Sequence, residues 1–487
     1  MDSLGTITVY FPFLDKETKN VLETIMEETP NYAEFVKELT QRVLTTEATD
    51  LVVYFAVHHA AQLLDLITIE KIGQKYPDVS IIQPNVRFAS HFQGKTDDFS
   101  IVIQAAETVL KTNPESWLAL EMRFMKYEAE TFNYPSVIQD SANVDAIYKL
   151  IKSESNFDFY NTVLYNNLAR IADIDGNSDE YARCNQIAID TARKNDDQVR
   201  LAYCLIEKAE INAEDRILAR ELLQEALRIT DDLSATEAYA LVLQQISHLE
   251  MIRGEFTIAI EHCLEVVKIQ ESLGMETGLI ALRLSTLYNI VGQSESGLEW
   301  ATMAEYQFKN RPFYKPRAVM RQIWSLVVLD RLAEAELLLN SVHDEILKSG
   351  REKNLAWLNF VIGLIHYANN DFVSATSNIE EALKIFENIE GTMMTQNIFL
   401  RFLAMIEVTQ SDKATEVLPY LTLLEERATS DDLPGILGQV LLLRADLAMK
   451  QSDDASLREA IKQLTLITQE PKTAFLMPFL ESLLQRI

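Results

Sequence analysis

The strongest constraint on this chain is a spacing. A turn-like position recurs at Gly176, Glu214, Gly254, Gly292, Asp330, Asn370, Ser411 and Ser452, with successive differences of 38, 40, 38, 38, 40, 41 and 41. A period of this size is what a stack of helical hairpins produces, because one hairpin cannot bury its apolar side alone. Flanking positions keep the same register. Five residues after the turn come Tyr181, Ala219, Ala259, Gly297, Ala335, Ala375, Glu416 and Leu457. Twelve after come Ala188, Ala226, Val266, Ala304, Val342, Ala382, Leu423 and Leu464. Seven before come Ala169, Glu207, Ser247, Ser285, Ile323, Gly363, Ala404 and Ala445, and six of these eight are small, where paired helices must approach closely.

The stretch 354–389 shows one unit most clearly. Its first helix carries Trp357, Ile362 and Gly363, and its turn is Asn369-Asn370-Asp371-Phe372. Its second helix places Ala375, Ile379, Ala382 and Leu383 on one face at the spacing of a 3.6-residue period. Glu207, Glu416 and Asn185 break the pattern and predict irregular units around them.

Composition agrees with an all-α reading. Among 487 residues there are only 14 Gly and 12 Pro, and 48% are apolar, enough to fill a long core. The net charge of −29 is spread along the chain, with the block 301–350 as the exception. Such a polyanion repels nucleic acid and anionic membrane, so neither is expected as a direct partner. Cys184, Cys204 and Cys263 lie in helical patterns without CxxC pairing, which predicts reduced core thiols and a cytoplasmic location. The first residues lack a basic n-region and a cleavage site, so no signal peptide is expected. The most apolar run, 51–68, contains His58, His59, Gln62 and Asp65 and reads as a buried amphipathic helix rather than a membrane span.

Three regions are expected: residues 1–84, mainly helical and outside the repeat; residues 85–472, a solenoid of about ten hairpins; and residues 473–487, a capping helix. Within the first, the β-branched and aromatic run 6–13 predicts a short strand, and 76–84 a second. Asp15 is placed to cap a following helix. The stretch 136–152 is expected to be the second helix of an early hairpin. In the last region Phe475, Phe479, Leu480, Leu483 and Leu484 form one apolar face.

These units resemble the tetratricopeptide repeat. The resemblance lies in Ile362-Gly363, Asn370-Asp371-Phe372, Ala375 and Ala382-Leu383, again in Leu284-Ser285 with Tyr288 and Gly292, and in Gly254-Glu255-Phe256 with Ala259. The period exceeds the usual length of about 34 and is similar to the longer variant of kinesin light chain and of MalT-type activators. The resemblance implies a right-handed α-solenoid of helix-turn-helix repeats whose first helices line a concave groove. Carried onto this chain, that groove contains Asn166, Arg170, Lys208, Gln244, His248, Arg317, Trp324, Trp357, Tyr367, Arg401 and Met405.

Chemistry is otherwise sparse. No phosphate-binding glycine loop, dinucleotide fingerprint, zinc-protease helix or nucleophile elbow is present. His58 and His59 are adjacent, about 100° apart on a helix, and do not form an i, i+4 metal pair. The run 173–180 alternates oxygen ligands, but its glycine is misplaced for a calcium loop and the closing Glu is missing. No catalytic residue, metal or cofactor is therefore expected. One stretch stands apart. Lys309, Arg311, Lys315, Arg317 and Arg321 crowd together with Phe308, Phe313, Tyr314 and Trp324, and no acid occurs from 306 to 329. On an acidic protein this is a local attractor for a carboxylate, a phosphate or an acidic segment.

The expected function is a non-enzymatic scaffold that presents its groove to a protein or peptide partner, with Lys309, Arg311, Lys315, Arg317, Arg321 and Trp324 as one contact. The alternative is an effector-sensing regulatory subunit whose output module lies on another chain. A third reading makes residues 1–84 an enzyme or a partner-specific module.

Overall fold

A computed structural model describes residues 5–8, 10–63, 65–93, 99–112, 117–132, 146–147, 149, 151, 159–174, 177–212, 215–232, 236–310, 314–387, 393–410 and 418–486. Every regular element among them is helical. From Tyr160 to Ile467 the described helices alternate as eight consecutive hairpins, from Tyr160–Ile174 with Ser178–Lys194 to Pro434–Gln451 with Asp454–Ile467. The repeat register has a backbone cause. All five described turn positions are left-handed, with φ of 72° at Gly254, 80° at Gly292, 59° at Asp330, 61° at Asn370 and 55° at Ser452. The residue after each donates its N–H five residues back, as in Asp371 to His366 O (2.9 Å) and Arg331 to Leu326 O (2.8 Å). This bond satisfies a carbonyl that the helix end would leave open and turns the chain toward the second helix.

Contacts divide the chain into two compact units, Met1–Gln245 with Lys268–Glu276, and Ile246–Val267 with Thr277–Ile487. In the first unit, Asp15 caps the helix Lys16–Glu28 by accepting the Thr18 N–H at 2.8 Å. The helix Asp50–Gln62 buries every residue from Val52 to Ala60, so it is enclosed on all sides rather than amphipathic. No helix among the described residues is long and apolar enough to cross a membrane.

Neither expected strand forms. Gly5–Thr8 is α-helical and Phe11–Phe13 is a 3₁₀ turn. Ser80–Ile82 is a second 3₁₀ turn that leads into the helix Gln83–Phe92. The β-branched composition is overridden because no second strand is available to pair among the described residues. The backbone is satisfied locally instead, by Tyr10 N–H to Ile7 O (3.2 Å) and Phe13 N–H to Tyr10 O (2.9 Å), while Ile7 and Tyr10 are fully buried among helices. The irregular units expected at Asn185 and Glu207 are ordinary helices, Ser178–Lys194 and Gln198–Ile211. Each polar side chain finds a partner across the stack: Asn185 donates to Cys204 O at 3.1 Å, and Glu207 accepts from Asn166 at 3.4 Å. Glu416 and nearly all of the stretch 136–152 lie outside the described residues.

The second unit shows why the small positions recur. A Cβ on Gly363 would stand 2.6 Å from Ile379 Cγ1 and 3.1 Å from Ala375 O, so the helices Glu352–Ala368 and Phe372–Glu387 meet almost backbone to backbone. Ala375, Ile379 and Ala382 are fully buried on the facing side. The unit also doubles back on itself. A Cβ on Gly435 would stand 2.1 Å from Gly254 O. Gln439 Nε2 and Arg401 Nη1 both donate to Ile290 O, at 2.9 and 3.2 Å. The rings of Phe256 and Phe475 meet at 5.4 Å. The final helix, Met477–Gln485, buries Leu480 beside Leu441 and Leu464, and Leu483 beside Ala445, Leu457 and Ala460.

These two glycines differ in what they meet, and this gives a ranked expectation. Gly435→Ala collides with backbone, which cannot swing aside, and is expected to cost about 1–3 kcal/mol or more. Gly363→Ala meets a side-chain carbon first and regains about 1 kcal/mol of helix propensity. Thermal scanning of the full chain should place the melting temperatures in the order wild type, Gly363→Ala, Gly435→Ala, with the last lowest.

Candidate partner-binding site

The basic stretch is divided by the helix Lys315–Val328. Lys309 and Lys315 are exposed: Lys309 Nζ lies 5.0 Å from the Tyr306 ring centre, and Lys315 Nζ lies 3.8 Å from the Glu305 carboxylate. Arg311 lies outside the described residues. Arg317, Arg321 and Trp324 follow at the i, i+4, i+7 spacing of one helix face, and this face turns inward. Arg317 is half-buried, with Nε donating to Asn354 Oδ1 at 3.2 Å and its guanidinium 5.5 Å from the Tyr314 ring centre. Arg321 is 8% exposed; its Nε donates to Thr286 Oγ1 at 2.9 Å and its guanidinium carbon lies 3.2 Å from the Trp357 ring centre. Trp324 is buried against Trp357 (6.2 Å), Phe360 (5.6 Å) and Phe402 (6.0 Å).

The groove positions divide between the two units. In the first, Asn166 pairs with Glu207, Lys208 Nζ donates to Gln186 Oε1 at 2.7 Å, Gln244 is half-buried, and the side chain of Arg170 lies outside the described residues. In the second, His248 is half-buried, and burial, with Arg283 next, lowers its pKa to about 3. Tyr367 meets Thr409 through their hydroxyls at 3.4 Å, and Met405 is half-buried one turn beyond Arg401. The residues that the structure does bring together are Arg321, Trp324 and Trp357, with Arg317 one turn before Arg321 on the same helix, while Arg401 on a later first helix reaches Ile290 O instead.

This cluster is electrostatically unusual. Burial lowers the Arg321 pKa to about 9, and the neighbouring charge of Arg317 adds to the shift. Burial alone lowers Arg401 to about 10. Both remain cationic at neutral pH, yet neither forms an ion pair with a carboxylate among the described residues. Holding a cation out of water costs several kcal/mol unless an anion or ring compensates it. Stacking on Trp357 offsets part of that cost for Arg321.

A second polar cluster lies in the first unit and was not anticipated. The Glu121 carboxylate is 6% exposed and accepts from the hydroxyls of Tyr160 and Tyr10, the latter at 3.2 Å. His58 Nδ1 lies 3.6 Å from Glu121, and His58 Nε2 lies 2.9 Å from Gln62 Nε2. An amide nitrogen only donates, so Nε2 is the acceptor and Nδ1 carries the proton. His59 Nδ1 lies 2.8 Å from the Tyr32 hydroxyl, and Arg200 pairs with Asp197 at 2.6 Å. Two signals in the sequence pointed here: a His-His step in a fully apolar helix, and a lone acid among Trp117, Leu118, Ala119, Leu120 and Met122. The three cysteines are buried free thiols, and no group of three or more His, Cys, Asp or Glu side chains among the described residues could hold a metal ion.

No protein-family model matches the chain, and no curated protein matches it. Solved structures do. A Rap protein complexed with competence and sporulation factor is 13% identical, with a TM-score of 0.46, over 68% of this chain and 99% of that one. Yeast Tom70 is 13% identical, with a TM-score of 0.34, over 97% and 96%. A signal transduction ATPase with a tetratricopeptide repeat sensor from Pyrococcus horikoshii is 13% identical, with a TM-score of 0.35, over 95% and 75%. All three are tetratricopeptide-repeat proteins, and this chain is, among the described residues, an all-helical repeat array. At such identities and TM-scores, function has to be argued from this chain's own residues.

The first-unit cluster makes stability depend on pH. Burial lowers the His58 pKa from 6.5 to about 3, and lowers His59 as well, with Arg200 contributing to both. The unfolded chain therefore takes up protons that the folded unit refuses, and stability falls as pH drops below 6.5. Burial raises Glu121, so the folded unit takes up a proton there while pH is still above the ordinary 4.5, which opposes the histidine trend above 4.5 and adds nothing below it. The histidine loss begins as pH falls below 6.5 and outweighs the Glu121 offset because two buried imidazoles contribute to it, and thermal unfolding from about pH 7 to about pH 5 measures its onset. His58→Gln should flatten the slope; an unchanged slope would assign the loss elsewhere.

Proposed function

We propose that this protein is a non-enzymatic interaction scaffold of the cytoplasm that binds a protein or peptide partner. Binding occurs on the inward face of the second unit, where Arg317, Arg321, Trp324 and Trp357 gather and Arg401 lies on a following first helix. The observation that carries this reading is Arg321, buried against Trp357, together with half-buried Arg401, neither of which a carboxylate of the described residues neutralises. A partner with an acidic segment supplies the missing charge. The chain's −29 charge makes this inner face a local exception, which favours specificity over general polyanion attraction. Exposed Lys309 and Lys315 stand near the entrance of the same helix and assist encounter. The outer acidic surface keeps nucleic acid away.

The test is affinity capture from the cell that makes the protein. The wild-type chain should retain a reproducible set of partners at about 0.1 M salt and release them at higher salt. Arg317→Glu with Arg321→Glu should lose that set while keeping the helical circular dichroism of the wild type. Retention of the same set by the variant would move the binding face elsewhere.

A further inference from the structure

We infer that residues 5–13 form a strap, latched by the Tyr10 hydroxyl to the Glu121–His58 pair, and that a proton entering this pair opens the strap while the rest of the first unit stays folded. The latch belongs to the first unit and is independent of the partner-binding reading in the second. The strap's backbone is self-contained: Tyr10, Phe13 and Leu14 donate to Ile7 O, Tyr10 O and Phe11 O, at 3.2, 2.9 and 3.4 Å. Its buried hold comes from two side chains. Ile7 and Tyr10 are fully buried, Phe11 and Phe13 are half-buried, and Thr8 and Pro12 are exposed. The Tyr10 ring stands edge-on to Phe55 (5.3 Å), Trp117 (5.9 Å) and Phe159 (5.4 Å), and covers His58 at 5.6 Å. Its hydroxyl lies 3.1 Å from His58 Nε2 and 3.2 Å from Glu121 Oε1.

The network closes only around a neutral His58. Gln62 Nε2 donates to His58 Nε2 at 2.9 Å, and the Nδ1 proton faces Glu121 Oε2 at 3.6 Å. Glu121 Oε1 accepts from Tyr10 and Tyr160. The Tyr32 hydroxyl donates to Gln62 Oε1 at 3.1 Å and accepts from His59 Nδ1 at 2.8 Å. A second proton on His58 lands on Nε2, against the Gln62 amide donor. Turning that amide over makes its nitrogen the donor to Tyr32, and the Tyr32 proton then points at His59 Nδ1. The proton of neutral His59 moves to Nε2, which is buried with no partner among the described residues. No arrangement of the closed network both takes the proton and pairs every donor.

The surrounding charges point the same way. His58 faces Tyr54 and His59 on its own helix, Tyr10 on the strap, and Glu121 on Trp117–Phe132. Behind these stand Tyr160, Tyr32, and Arg200 paired with Asp197 at 2.6 Å. Burial, with Arg200 next, holds His58 at about 3 against 6.5 in water. Burial raises Glu121, which opposes release in part. Withdrawing Tyr10 removes the cover and lets water carry the charge on His58. The strap is the element that leaves most cheaply, because its backbone bonds leave with it. The helix Asp50–Gln62, by contrast, is enclosed on all sides. Opening uncovers the rings of Phe55, Trp117 and Phe159, so acid converts a closed surface into an aromatic one.

The test is hydrogen exchange of the full chain read by mass spectrometry, corrected for the intrinsic pH dependence of amide exchange. A peptide containing Tyr10, Phe13 and Leu14 reports the strap, and peptides within Asp50–Gln62 report the helix beneath it. Between about pH 7.5 and about pH 5.5 the strap should lose about ten-fold in protection, the factor set by freeing one imidazole from about 3 to 6.5 on opening. The helix Asp50–Gln62 should keep its protection over the same range. Tyr10→Phe keeps the ring and removes the latch, so its strap should already be less protected at about pH 7.5, with the helix unchanged. His58→Gln should abolish the fall with pH. Loss of protection in strap and helix together is unfolding of the whole unit and overturns the inference. So does a strap whose protection stays constant over the range, a folded His58→Gln that keeps the ten-fold fall, or a Tyr10→Phe strap that exchanges like the wild type. Where His58→Gln does not fold, Tyr10→Phe decides.

Discussion

The left-handed turn with its five-residue-back hydrogen bond is the interaction on which the repeat depends. A helical hairpin of this length has an apolar side that only a neighbour can cover. The neighbour can do so only if every hairpin reverses at the same place and angle. Gly254, Gly292, Asp330, Asn370 and Ser452 all adopt that conformation, although three of the five are not glycine. Asp and Asn tolerate it because their short polar side chains bond locally, and the hairpins then present Ala375-like positions to one another at a constant distance. Packing of the small residues follows from the turn rather than the reverse.

This is why the hairpin was legible in the sequence. The turn and the crossing are local, and their residues recur at a fixed spacing. The cap at Asp15 was legible for the same reason, since its partner is three residues away. Composition misled where the local signal needed a distant partner. The run 6–13 has the residues of a strand, but a strand requires a second one, and the described residues around it offer only helices.

The candidate site was legible only in part. The sequence marked Arg317, Arg321 and Trp324 as a cationic and aromatic run, and Trp357 and Arg401 by their place in the repeat. It did not separate the inward arginines from the outward Lys309 and Lys315, because helix phase alone does not say which side the neighbouring helices occupy. It also gave no sign that Thr286 and Ile290 would receive Arg321 and Arg401, contacts across 35 and 111 positions. The His58 and Glu121 cluster escaped for the same reason: its members are 63 residues apart (121 − 58) and no period links them.

The single carbonyl of Ile290 has a further consequence. It is the last residue of its helix, and it accepts from Arg401 and Gln439, which belong to two later hairpins. A linear stack of repeats can fray from either end, because each hairpin knows only its neighbours. Here hairpins far apart in sequence share one acceptor, and Gly435 presses on the turn at Gly254. Peeling away the final hairpins therefore uncovers the earlier ones as well. The second unit behaves as a closed cooperative body, whose parts come undone together, rather than as a chain of separable links.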